Sequence, residues 1–82
     1  MSYPDLLPKR AWLEVMGSYH LTNHELTVLQ LLCRGLANEA IAQSLGVSQS
    51  TVRTHLKAIY AKLNCHNRVE LILTLVHGRK KK

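Results

Sequence analysis

Eighty-two residues, 46% of them hydrophobic, suffice for one modest core and not for two domains. No apolar run approaches the ~20 residues that cross a bilayer, and the start lacks the basic-then-apolar layout of a secretory signal, so a soluble cytoplasmic chain is expected. The formal charge of +6 is uneven: residues 1–45 hold three basic against four acidic side chains, residues 46–82 hold eight basic against Glu70 alone, so a polyanion-binding surface is expected in the second half.

In chain order, Ser2-Tyr3-Pro4-Asp5 reads as loop, and Pro8 is placed to open a short helix through Met16 that Gly17 ends. Ala11, Trp12, Val15 and Met16 would be its apolar stripe. Residues 1–19 are thus an N-terminal extension, either a helix packed on the domain or a linker. From residue 20 the signals sharpen. Thr22 with Glu25 forms a capping box flanked by Leu21 and Leu26 as a hydrophobic staple. The helix it starts runs to about Arg34, with Leu26, Leu29 and Cys33 as its core face and Gly35 as its stop.

A shorter helix, about Asn38 to Leu45, turns Ile41 and Leu45 inward. Gly46 ends it, Val47 plugs the turn, and Ser48 caps the next helix. Helix, short Gly-containing turn, helix is the layout of a helix-turn-helix. This third helix of the domain, about Gln49 to Leu63, carries Val52, Leu56, Ile59 and Leu63 at i, i+4, i+7, i+11, one buried stripe. At ~100° per residue, Ser50, Arg53, Thr54, Lys57 and Ala61 gather on the opposite face, which holds no acid and suits phosphate and base edges.

A fourth helix starts near Asn67 and ends by Gly78. It is apolar on more than one side: Val69, Ile72, Leu73 and Val76 can serve the core, which leaves Leu71 and Leu75 needing another cover. That cover is either a partner helix from a second subunit or the N-terminal segment around Trp12. The first is favoured, because pairing half-sites raises affinity for duplex DNA. Residues 78–82, Gly-Arg-Lys-Lys-Lys, form a basic tail.

The run Leu21-Thr22-x-x-Glu25-x-x-Val28-Leu29-x-Leu31-Leu32, then Gly35-Leu36-x-Asn38-x-x-Ile41-Ala42-x-x-Leu45-Gly46-Val47-Ser48, then Thr51-Val52-Arg53-x-His55-Leu56-x-x-Ile59-Tyr60-x-Lys62-Leu63 and Asn67-Arg68, resembles the LuxR-type domain. That domain is the four-helix DNA-binding module of quorum-sensing regulators and many response regulators, and the resemblance covers residues 20–77. It implies an all-α four-helix bundle, to which the N-terminal extension adds a short extra helix if it packs on the domain, and sequence-specific binding of double-stranded DNA in bacterial transcription regulation. It places the third helix in the major groove and a homodimer through the fourth, at Leu71 and Leu75. By position it assigns base contacts to Ser50, Arg53, Thr54 and Lys57, and phosphate contacts to Ser48, Thr51 and Lys62. Arg53 and Lys57 each have the chemistry to pair with guanine O6 and N7.

The chain departs from the family pattern at Ala37, where Ser usually caps the second helix, at Cys65-His66, and at His24, a site often basic. Family members typically carry a receiver or ligand-binding domain ahead of this module. With about twenty residues before it, the chain reads as an excised output domain or a stand-alone regulator, with no small-molecule ligand of its own.

Other chemistries fit poorly. The five histidines and two cysteines lack the spacing of a tetrahedral metal set, and Cys33 and Cys65 read as free thiols. No nucleophile–base pair is evident among scattered carboxylates, so neither catalysis nor a cofactor is expected. Two alternatives remain. Region 4 of a sigma factor shares the Leu-Thr-x-x-Glu start and Thr-Val-Arg helix, and an anti-activator could pair through its fourth helix with a longer regulator.

Overall fold

The computed structural model describes residues 7–77, which form five α-helices: α1 Lys9–Tyr19, α2 Asn23–Cys33, α3 Asn38–Leu45, α4 Gln49–Leu63 and α5 Arg68–Val76. The fold is all-α, the four expected helices preceded by the extra one. The loop at residues 2–5 and the basic tail at 78–82 lie outside the described residues.

Three of the four interhelical turns follow one rule. A residue in the left-handed region ends each helix, the next is apolar and sends its N–H back to the helix, and the one after caps the following helix. His20 (φ 58°), Gly35 (φ 91°) and Gly46 (φ 70°) take the left-handed position. The Leu21, Leu36 and Val47 amides then bond the carbonyls of Met16 (3.0 Å), Leu31 (3.3 Å) and Ala42 (3.0 Å), the closing bond of a Schellman motif. Thr22, Ala37 and Ser48 come next as caps. The fourth turn repeats the closure with Asn64 (φ 57°) and Cys65, whose amide bonds Tyr60 O at 2.9 Å, but His66 intervenes before the Asn67 cap.

This rule corrects the expected end of α1. The helix runs through Gly17 to Tyr19, because the closure needs an apolar residue after the left-handed one, and Leu21, 5% exposed, supplies it. Trp12 and Val15 are buried in the common core, so α1 is packed on the domain. In α2 the capping box forms as expected: Thr22 Oγ1 accepts the Glu25 N–H at 3.1 Å and Glu25 Oε1 accepts the Thr22 N–H at 3.0 Å. Its buried face is Glu25, Val28, Leu29 and Leu32, with Leu26 and Cys33 half-buried at the margins. Ala37 gives α3 no side-chain cap. Val47 is partly exposed and so does not plug its turn.

The stripe of α4 is as the spacing predicts, with Val52, Leu56, Ile59 and Leu63 all buried. This helix is the hub, packing on α2, α3 and α5. The assignment for α5 is reversed. Leu71 and Leu75 are wholly buried, while Val69, Leu73 and Val76 are 65%, 49% and 54% exposed. Leu71 and Leu75 share one buried cluster with Trp12 and Val15, so they are core residues and not available to a second subunit.

Candidate nucleic-acid interface

With its four anchors inward, α4 presents Ser50, Arg53, Thr54, Lys57 and Ala61 outward, all exposed. The predicted base-reading set is therefore brought together on one open face, and α4 contains no carboxylate to oppose a polyanion. Thr54 Oγ1 donates to Ser50 O at 3.1 Å, which ties down its proton and leaves its lone pairs to accept. At the start of the helix, Ser48 Oγ accepts the Thr51 N–H at 3.1 Å and lies 3.1 Å from Thr51 Oγ1. Both side chains are exposed, beside the amides of the first turn.

One flank of α4 turns to α2. The ring of His55 stacks parallel to that of His24, centroids 6.0 Å apart and planes 4° from parallel. On the same flank Lys62 reaches back, its Nζ 2.6 Å from Glu25 Oε1 and 3.0 Å from His20 O. The phosphate contact expected of Lys62 would draw it away from this pair. Two helical turns beyond Thr54, it has rotated toward α2, where it joins the C-terminus of α1 to the capping box. Burial pushes the Glu25 carboxyl up, but the hydrogen bonds from Lys62 and the Thr22 amide, with the charges of Lys62 and His55, bring it below its ordinary value.

The other flank opens on a cleft of about 510 Å³ whose lining includes Asn38, Arg53, Thr54, Lys57, Tyr60 and Arg68. Asn38 opens α3 and Arg68 opens α5, so three helices meet there. Arg68 Nη2 donates to Leu36 O at 3.3 Å, which fixes the guanidinium against the α2–α3 turn. It also faces Cys33, whose thiol burial pushes up to about 11 against the pull of Arg68. Arg68 and Tyr60 were missed as site residues. The available signal was position: Arg68 is the first residue of α5, where the helix dipole disfavours a cation by about 0.3–1 kcal/mol.

Among the described residues no three His, Cys, Asp or Glu side chains converge as a metal set, and no helix is long and apolar enough to cross a membrane.

Comparison with known proteins adds the following. Residues 19–75 match the family described as bacterial regulatory proteins, luxR family. The HTH-type transcriptional regulator MalT of Vibrio campbellii is 44% identical over 61 residues, 74% of this chain and 7% of that protein. The glycerol metabolism activator of Pseudomonas putida is 44% identical over 54 residues, 66% of the chain and 24% of the activator. The transcription regulator BvgA of Bordetella pertussis is 50% identical over 52 residues, 63% of the chain and 25% of that protein. The chain thus spans a quarter or less of these relatives. No solved structure matches it significantly.

Proposed function

Because this chain belongs to the luxR family of bacterial regulatory proteins, a family of DNA-binding transcription regulators and not of enzymes, we propose that it regulates transcription by laying α4 in the major groove of duplex DNA. The observation that carries this reading is the outward face of α4: Ser50, Arg53, Thr54 and Lys57, exposed and acid-free, opposite four buried anchors. Arg53 and Lys57 would meet guanine edges, Thr54 would accept from a neighbouring base, and Ser50 would accept from or donate to one. Ser48 and Thr51, at the exposed start of α4, would meet phosphate.

A homodimer follows from α5, through a different surface from the one first expected. Val69, Leu73 and Val76, at i, i+4 and i+7, form an exposed apolar stripe on a nine-residue helix. Covering it with its twin would set two copies of α4 on half-sites about one helical turn apart. The bacterial cytoplasm, where the chromosome lies, is the corresponding place of action. The same stripe also supports a second reading, an anti-activator that pairs with a longer regulator.

Fluorescence anisotropy on a mixed-sequence duplex across a salt series separates the two. Binding that falls steeply with salt and collapses in Arg53→Ala/Lys57→Ala supports the DNA-reading function. Equal binding by both proteins removes it and leaves the anti-activator.

A further inference from the structure

The geometry points to the cleft between α4 and the starts of α3 and α5 as the seat of a DNA backbone phosphate, with Arg68 as its principal ligand. This inference rests on the DNA-reading function above and goes beyond it, since Arg68 lies outside the reading helix.

Four observations converge. First, Arg53, Lys57 and Arg68 all line one cleft, and no carboxylate lines it with them. Among the described residues none of the three is ion-paired. Three cations brought together from two helices without a counter-charge repel one another, and a polyanion relieves that repulsion. Second, the remaining lining supplies neutral donors, the Asn38 amide and Tyr60 phenol, which suit phosphate oxygens. Third, the volume of about 510 Å³ falls within the range, about 300–1,000 Å³, that holds a group of nucleotide size. It admits a phosphodiester with its sugar.

The fourth observation concerns Arg68 itself. Its Nη2 donates to the Leu36 carbonyl at 3.3 Å, which orients the guanidinium toward the α2–α3 turn and leaves its remaining N–H donors for a ligand. A planar fork loses less entropy per hydrogen bond on gripping a phosphate than a lysine does. Lys62, the cation first expected to do this, is spent on Glu25. The cleft adjoins the reading face through Arg53, Thr54 and Lys57. A strand seated there would run beside α4 at the edge of the groove that the helix enters, so its contact would position the protein without reading sequence.

The test compares wild type with Arg68→Gln and Arg68→Lys, all as the full chain, by anisotropy on several unrelated duplexes across a chloride salt series, after thermal melts have established that each is folded. The expected result for Arg68→Gln is weaker binding to every duplex alike and a log–log salt slope shallower by about one. Arg68→Lys, which keeps the charge but loses the planar fork, should keep the slope and bind every duplex more weakly than wild type, and wild-type affinity in it would overturn the seat if the glutamine variant unfolds. Wild-type affinity and slope in Arg68→Gln, alongside loss of binding in Arg53→Ala, would overturn the phosphate seat and leave the reading function standing. Absence of salt-dependent binding by wild type would overturn both. A final arm replaces chloride with inorganic phosphate at equal ionic strength. Displacement of DNA from wild type beyond the ionic-strength effect, absent in Arg68→Gln, is the expected competition for the seat; phosphate binding that depends on Arg68 but displaces no DNA would assign the cleft to a free anion and overturn the backbone assignment.

Discussion

The ammonium of Lys62 lies 2.6 Å from the carboxylate of Glu25, the same oxygen that accepts the Thr22 amide and closes the capping box of α2. One pair of charges therefore joins the end of α4 to the start of α2, and through the His20 carbonyl to the end of α1. Glu25 is only 7% exposed, so its partner cannot be lost without consequence. Lys62→Ala should cost about 1–3 kcal/mol in urea denaturation, while DNA affinity per folded molecule and base preference stay near wild type. Unchanged stability with uniformly weakened DNA binding would return Lys62 to the phosphate backbone.

The same pair sets a pH dependence. The folded-state pKa of Glu25 lies below its ordinary 4.5. Its contribution to stability is therefore complete above that value and is lost as pH falls through the lower folded value. Glu70 acts in the same direction: the His66 amide donates to it at 2.7 Å and holds it low. Thermal melts from pH 6 to 3 should show the midpoint falling below about pH 4.5. Glu25→Gln should flatten that fall, and a variant with an unaltered acid limb would remove Glu25 as its source.

The two faces of α5 should separate in mutagenesis. Leu75→Ala, at a wholly buried site, should destabilise by about 2–5 kcal/mol. Leu73→Ser with Val76→Ser should change stability of the isolated chain little and shift sedimentation toward monomer. A double variant that sediments as wild type would remove the exposed stripe as the pairing surface.

This helix also marks where the sequence stops being legible. For α4, four apolar residues at one helical spacing, with polar residues between them, admit a single inward face, and the cap at Ser48 and the reading face followed from it. In α5, Val69, Leu71, Ile72, Leu73, Leu75 and Val76 crowd the helix on several sides. Periodicity cannot choose among them, and the choice was made by tertiary packing, which draws Leu71 and Leu75 into the common core as α5 docks on α4. The partner of Lys62 was hidden for a related reason: a positive charge on a basic helix reads as a ligand for DNA, and the carboxylate it meets lies 37 residues earlier. Arg68 was overlooked because its one local signal, a cation at a helix start, does not reveal the cleft that three helices form around it.

On the reading face, Arg53→Ala and Lys57→Ala should each cost about 1–3 kcal/mol in DNA affinity and relax the preference at one base position. Selection of preferred sites from random duplexes checks this. A variant that loses affinity equally for every sequence would mark that residue as a backbone contact instead.

Trp12, the single tryptophan, is 2% exposed, and its indole N–H has no hydrogen-bond partner among the described residues. Trp12→Phe should therefore cost less than Trp12→Ala, for which about 3–5 kcal/mol is expected, since the unpaired donor goes with the indole. Denaturation followed by circular dichroism measures both. Equal losses would mean that the N–H is satisfied after all.

The repeated turn leaves this module almost no freedom in length. The left-handed residue, its apolar follower and the cap occupy every position between α1 and α2, His20 to Thr22, and between α3 and α4, Gly46 to Ser48; between α2 and α3 only Arg34 precedes them. Adding or removing a residue in any of these turns would swing the next helix by about 100° and carry its buried stripe to the surface. Substitution can therefore respell this domain widely, whereas insertion is confined to its two ends and to His66, where the spacing already carries one residue more.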